Sequence, residues 1–215
     1  MNIVLTGGTG FVGPAVTAEL VRRGHRVRRL VRTMPAAAPG RVEDVVADLA
    51  ESAPLVPLLR GQDAVVHLVG IISECGPQTF ERVHVGVTRS VLEAARAAGV
   101  PRWVHMSALG TRPGAASRYH QTKWAAEELV RAAPLAWTIF RPSLIHGPED
   151  LFTNLLARLA GSPVVPVMGA GGGRLQPIAV DQVARAFAGA PESPARIGRS
   201  YDLPGPGRLP LNQVL

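Results

Sequence analysis

The chain reads as an α/β protein, a doubly wound parallel sheet followed by a short C-terminal region. Three observations predict this. Short apolar runs alternate with helical patterns over the first 140 or so residues, which is the signature of βαβ units and a sheet covered on both faces. The first run, Ile3-Val4-Leu5, ends in Thr6-Gly7-Gly8-Thr9-Gly10, and helical spacing begins directly after it. The texture then changes after Arg141-Pro142, where the regular alternation stops.

Taken in order, Ile3–Leu5 is a strand, Phe11–Arg23 a helix that stops at Gly24, and His25–Val31 a second strand. A Pro/Ala/Gly-rich loop covers Met34–Gly40, and Val42–Ala47 is a third strand. Pro54–Arg60 is a weak helix, and Asp63–Leu68 is a strand whose Ala64-Val65-Val66 centre is apolar enough to be buried on both faces. Gln78–Ala98 is the strongest helix, closed by Gly99 with Pro101 beyond it. Arg102–Met106 is a fifth strand, Ser117–Ala133 a helix and Ala136–Phe140 a sixth strand. Beyond it, Asp150–Ala160 is expected helical, Val164–Val167 extended, Gly169–Gly173 a loop, Asp181–Ala188 helical and Ser200–Leu203 a short strand. Leu209–Leu215 begins what reads as one more helix and then stops, as in a shortened or truncated version of a longer architecture.

Composition narrows the function classes. The formal charge of +7 comes from arginines scattered along the chain, and aromatics make up only 5%. With no basic run interleaved with aromatics, nucleic acid is not expected as a partner. Cys75 is the only cysteine, so an intrachain disulfide and a cysteine-rich metal site are both excluded, and a small buried or half-buried residue is expected there. No metal site is expected. The longest apolar stretch, near Ala64–Ile72, is far shorter than a bilayer span and is interrupted by His67, so no membrane insertion is expected. No signal-like segment opens the chain, and a reducing cytoplasm is the default location.

The glycine turn can be read as GxGxxG through Gly8, Gly10 and Gly13 or as GxxGxxG through Gly7, Gly10 and Gly13. Either spacing, between a strand and a helix N-terminus, suits a pyrophosphate that must approach backbone N–H groups without a Cβ in the way. Thr9, Phe11 and Val12 lie within the same turn and are cofactor-binding candidates. A site that prefers NAD places an acid near the end of the second strand, whereas an NADP site places a cation there. Here the segment is Arg28-Arg29-Leu30-Val31-Arg32, with no acid before Glu43. NADP(H) is therefore expected over NAD(H), with Arg32 as the first 2'-phosphate ligand and Arg29 as a weaker one.

One lysine stands against twenty-two arginines, and this residue, Lys123, lies four positions after Tyr119. On a helix the two share a face. A phenol with an ordinary pKa near ~10 needs a nearby cation to exchange protons at neutral pH, and a compact ammonium on a flexible stem serves that purpose better than a guanidinium fork.

TGGTGFVG at the start, Ala47-Asp48-Leu49, His67-Leu68-Val69-Gly70, Ser107, Tyr119-x-x-x-Lys123 and Arg141-Pro142-Ser143-Leu144-Ile145-His146-Gly147-Pro148 together resemble the extended and atypical short-chain dehydrogenase/reductase superfamily, which is NAD-dependent epimerase/dehydratase-like. More narrowly, the LVGI, FRPSLIHGPED and QPIAVDQVA strings resemble bacterial relatives of the NAD(P)-binding accessory subunit of respiratory NADH:ubiquinone oxidoreductase. The resemblance implies a Rossmann-type dinucleotide-binding domain over residues 1–142, with 143–215 as a short substrate-side region packed on it. It also implies that Asp48 accepts from the adenine amino group, Leu49 packs on that ring, Leu68, Val69 and Gly70 line the ribose, and Pro142, Ser143, Leu144 and Ile145 lie beside the nicotinamide. Ser107 would then orient a substrate oxygen, Tyr119 would act as acid or base, and Lys123 would hold the ribose and tune the phenol.

Two departures stand out. His84 occupies the place in Val83-His84-Val85-Gly86-Val87-Thr88 where such families usually carry Asn, so it is either a polar relay or a satisfied structural histidine. The region after Pro142 is also short for a nucleotide-sugar pocket. Two classes stay open: an oxidoreductase or epimerase/dehydratase-like enzyme acting on an unidentified small molecule, and a non-catalytic NAD(P)H-binding accessory subunit. The second carries with it a peripheral association with a respiratory complex. The helices at Gln78–Ala98 and Ser117–Ala133 are candidates for a homodimer interface.

Overall fold

The computed structural model describes residues 1–35, 40–150, 152–155 and 174–210. Seven parallel strands form one sheet. In chain order these are β1 (Asn2–Thr6), β2 (Arg26–Val31), β3 (Val42–Val46), β4 (Ala64–His67), β5 (Arg102–Met106), β6 (Ala136–Pro142) and β10 (Arg199–Leu203). Their spatial order is β10-β6-β5-β4-β1-β2-β3, every pairing parallel. Six of them follow the Rossmann order, with the direction of winding reversing between β1 and β4. That reversal opens a crevice at the carboxyl ends of these strands.

Alternation on β1 shows why both faces must be covered. Ile3 and Leu5 pack with Val16 and Leu20 of helix α1 (Gly13–Arg22) and with Phe187 of helix α5 (Val180–Gly189). Val4, between them, packs on the other face with Val91, Trp103 and Val130. These last residues belong to or adjoin helices α3 (Val87–Ala97) and α4 (Arg118–Ala132). Each apolar strand residue is thus removed from water whichever way it points. Because β10 and α5 join the same sheet and the same core, the sheet draws on residues from both sides of position 142.

Several local expectations change. The weak helix after β3 is a 3₁₀ turn, Ala53–Leu55, followed by a single helical turn, α2 (Val56–Leu59). The strongest helix begins later than its sequence pattern suggests: Glu81–Gly86 is a π-helical turn that runs into α3. Cys75 is exposed rather than buried, in an isolated bridge to Gln78. Leu209–Pro210 is a strand, β11, paired antiparallel with β8 (Arg174–Leu175), and not the start of a helix. The pairs β7 (Ile145–His146) and β9 (Ile178–Ala179) complete the sheet elements. The expected strand at 164–167 and loop at 169–173 lie outside the described residues, as do 211–215 and most of the helix expected from 150.

Candidate active site

At the strand switch the turn after β1 does what three glycines permit. Gly7 has φ +76, and a Cβ there would lie 3.0 Å from the backbone of Leu68 and Val69. A Cβ on Gly13 would lie 2.3 Å from the backbone of Gly8, so only glycine lets α1 start against the turn. Gly10 differs: its Cβ would meet nothing nearer than Gly7 O at 3.5 Å, which leaves its outer side open. The first turn of α1 carries no side-chain cap; the Gly13 N–H goes to Gly10 O and the Val16 N–H to Val12 O, and Pro14 has none, so Ala15 supplies the first-turn N–H left without a partner among the described residues. Steric need for glycine falls at Gly7 and Gly13, with Gly10 open between them, whereas Gly8 lies against the Arg29 side chain.

Two clefts meet at this turn, sharing Gly7, Gly10, Leu68, Gly70 and Ile71. The smaller, about 250 Å³, is lined by Thr9, Arg32, Asp48, Leu49 and Val69, with Asp48 its one carboxylate among the described residues. Asp48 Oδ1 accepts from the Ala50 N–H at 2.9 Å, which fixes the turn. Arg32 is exposed and makes no ion pair among the described residues. Arg29 is not available as a phosphate ligand. It donates twice to Asp44, each bond 2.7 Å, with both side chains nearly fully buried, because positions 29 and 44 are register partners on adjacent strands. Arg82 lines the wall as well.

The larger cleft, about 620 Å³, is lined by Phe11, Val12, Gly13, Ser107, Tyr119, Lys123, Pro142, Ser143, Leu144 and Ile145. Ser107 is placed just past β5 by its N–H bond to Phe140 O, 2.8 Å. Its hydroxyl is buried and makes no hydrogen bond within 3.5 Å among the described residues, although it lies close enough to the Glu127 carboxylate to help hold that group below its usual range. Such an atom loses hydration without compensation unless a ligand meets it. Tyr119 opens α4, where Ser117 caps the helix by accepting from the His120 N–H at 3.3 Å. The ring stands edge-on to His84, Phe80 and His120.

Lys123 is buried one turn along, and its ammonium donates to Met106 O at 3.2 Å. Burial pulls its pKa down to about 8, an effect that Glu127 partly opposes. Burial also pushes the Tyr119 phenol up from its ordinary value. That differs from the downward tuning expected from the lysine: desolvation of the ring dominates, since the ammonium is turned onto a strand-end carbonyl. Another turn along, Glu127 is completely buried. Burial alone would raise its carboxyl, but the Arg141 guanidinium, bonded at 2.8 and 2.6 Å, holds it below the usual range.

His84 is not on either cleft wall. Its Nδ1 lies 2.9 Å from Thr122 Oγ1 on α4, and its Nε2 lies within 3.2 Å of the Ile71 N–H. It pins the loop after β4 to α4, and burial, then the Lys123 charge, lowers its pKa to about 3. His67 is a core residue bonded to Thr6 and Thr88.

A family model described as NAD(P)H-binding matches residues 7–154. The chain belongs to that family. It is 39% identical to a ceramide reductase of Caulobacter vibrioides over 77% of this chain and 53% of that protein. It is 29% identical to the mitochondrial NADH dehydrogenase [ubiquinone] 1 alpha subcomplex subunit 9 of Rattus norvegicus, over 95% of this chain and 57% of that one. The chain thus spans little more than half the length of these relatives. A solved structure of MoeE5 in complex with UDP-glucose and NAD superposes with a TM-score of 0.85 at 27% identity, covering all of this chain and 79% of that one.

For an NAD(P)H-binding chain the geometry above fits the cofactor. Gly10 is open on its outer side at the start of α1, and both clefts include it in their walls. Sequence reasoning did not find Arg82, Ile72, Phe152 or Gln176 on the cleft walls. Arg82 carries no motif that marks it, and Gln176 lies in the QPIAVDQVA string without a role attached to it. Among the described residues no helix is long and apolar enough to cross a membrane.

Proposed function

We propose that the protein is an NADP(H)-dependent reductase of a carbonyl group, with Ser107, Tyr119 and Lys123 as its reacting side chains. The observation that carries this reading is the buried Ser107 hydroxyl, without a hydrogen bond within 3.5 Å among the described residues, on a cleft wall that Tyr119 and Lys123 also line. The turn through Gly7, Gly10 and Gly13 and the uncapped start of α1 would hold the pyrophosphate. Asp48 and Leu49 would hold the adenine, and Arg32 the 2'-phosphate. Leu68, Val69 and Gly70 would line a ribose, and Pro142 to Ile145 the nicotinamide, which when bound supplies the hydride.

Ser107 donates to the carbonyl oxygen and orients it. Tyr119, whose phenol burial keeps protonated at neutral pH, gives its proton to that oxygen as the C=O bond is reduced to an alcohol. Lys123, largely charged below pH 8, supports the phenolate left behind. The ceramide reductase likeness supports a reductase. The decisive experiment is Tyr119→Phe, expected to cut turnover at least a hundredfold while NADPH affinity stays within twofold; an unchanged rate removes Tyr119 from the mechanism.

A second reading is favoured by the 95% coverage in the match to the alpha subcomplex subunit: a protein that holds NADP(H) without turnover and sits at the periphery of a respiratory assembly. It requires a purified protein that retains the cofactor yet oxidises none of it across a broad carbonyl and sugar panel.

A further inference from the structure

We infer that the substrate carbonyl is carried on a hydrocarbon chain, with the oxygen at Ser107 and Tyr119 and the chain running outward between Ile72 and Phe152. This names the substrate class of the site and rests on the reductase reading above. The cleft has one polar end open to a ligand: the Ser107 hydroxyl is buried without a hydrogen bond within 3.5 Å among the described residues, with the Glu127 carboxylate behind it, and Tyr119 lines the same wall. Most of the other polar side chains on the wall are already used. Ser143 donates to Gln176 O, and the Gln176 amide donates to Gly205 O at 2.9 Å. Asp150 accepts from the N–H groups of Gly147 at 3.1 Å and Thr153 at 2.6 Å, and from the Thr153 hydroxyl. His120 is bonded through Nδ1 to Thr111 at 3.1 Å.

What remains is hydrocarbon: Ile71, Ile72, Met106, Leu109, Phe152 and Leu175. Ile72 is 77% exposed at the lip, an apolar surface that a ligand's chain would cover. A nucleoside diphosphate needs several cations at its pyrophosphate. Among the described residues this cleft has only Lys123, buried and bonded to Met106 O, and Arg174 at an exposed edge. A polar tip followed by an apolar corridor matches an alkyl ketone, and among the described residues it offers a nucleotide sugar too few cations for its phosphates.

The test uses the full chain with NADPH and a series of straight-chain methyl ketones from 2-butanone to 2-decanone, with UDP-glucose as the competing class. Both binding to the NADPH complex, by calorimetry, and turnover, by loss of absorbance at the reduced nicotinamide band, are measured. Affinity and kcat/KM are expected to rise about threefold to fourfold for each added methylene until the chain passes the lip. Ile72→Glu is expected to lower kcat/KM for 2-decanone at least tenfold more than for 2-butanone. Chain-length-dependent binding without turnover supports the inference and overturns the reductase reading. Turnover that is flat along the series keeps the reductase and overturns the inference. Failure of every ketone to bind, or UDP-glucose binding more tightly than 2-decanone, also overturns it.

Discussion

Acid should unfold this protein well before its carboxylates titrate, because two histidines are held neutral in the core. His67 is fully buried, stacked on Trp103 at 5.2 Å and bonded to Thr6 and Thr88. His84 is buried between the β4 loop and α4. Burial first, then the Lys123 charge, lowers each pKa from 6.5 to about 3. The folded values are depressed, so between pH 6.5 and 3 the unfolded chain binds more protons, and stability present above pH 6.5 is lost as pH falls toward 3. For one such group the loss between pH 7 and pH 5 is about 2 kcal/mol, and for the pair about 4 kcal/mol, a large share of an ordinary domain's ~5–15 kcal/mol. His105, buried without a partner and shifted the same way, adds to the slope. Urea unfolding at pH 7 and pH 5 measures this directly. His67→Asn with His84→Asn should lower stability at pH 7 but remove about 4 kcal/mol of the pH dependence. A wild-type difference below about 1 kcal/mol between the two pH values, or an equal slope in the double variant, refutes the reasoning.

Substitutions at Gly10, Gly13, Arg32 and Arg29 separate fold from cofactor. Gly10→Ala should leave the melting temperature unchanged and weaken NADPH binding at least tenfold, whereas Gly13→Ala, whose Cβ would lie 2.3 Å from Gly8, should cost about 1–3 kcal/mol in unfolding as well. Thermal melts and quenching of NADPH fluorescence distinguish the two. Arg32→Ala should weaken NADPH about 10- to 100-fold and leave NADH nearly unchanged, as fits loss of a charge-assisted phosphate contact; equal effects on both cofactors would remove the 2'-phosphate role. Arg29→Met should destabilise the fold by about 3–5 kcal/mol because it strands the buried Asp44 carboxylate, and adding Asp44→Val should recover most of the loss. Denaturant midpoints for the single and double variants check this.

The cofactor half of the fold was legible because its determinants are local. Ile3-Val4-Leu5 followed by Gly7, Gly10 and Gly13 carries strand, turn and helix start within a dozen residues. What resisted reading depends on distant partners. Arg28, Arg29 and Arg32 look alike in sequence, yet strand register sends Arg28 to Glu43 and Arg29 to Asp44, and leaves Arg32 beyond the last pair. Arg82 reaches the smaller cleft from the π-helical turn Glu81–Gly86, alongside Val83, and nothing in its own neighbourhood of the sequence marks it as a cleft residue. Leu209 has the composition of a helix start but finds an edge at Leu175 and pairs there. His84 replaces the usual Asn with a group that still donates and accepts, so its sequence signal could not separate a relay from a clamp. The bonds to Thr122 and Ile71 describe a clamp.

The lone lysine has a steric reason that is independent of proton transfer. Its ammonium sits on Met106 O, and a Cβ on Gly70 would lie only 2.8 Å from it. A planar guanidinium is wider than that gap between a strand end and a glycine loop, and it also cannot shed a proton when desolvated, whereas the ammonium does so near pH 8. Arg therefore cannot replace Lys123 even in a protein that only binds the cofactor. The same helix face carries Tyr119 one turn before and Glu127 one turn after, and Glu127 is anchored by Arg141. That anchor fixes the rotation of α4 and hence the position of the phenol. Evidence for chemistry must then come from Ser107 and Tyr119 on the wall of the larger cleft. Lys123→Arg should lower NADPH affinity and unfolding stability together, whereas Ser107→Ala should change turnover with neither.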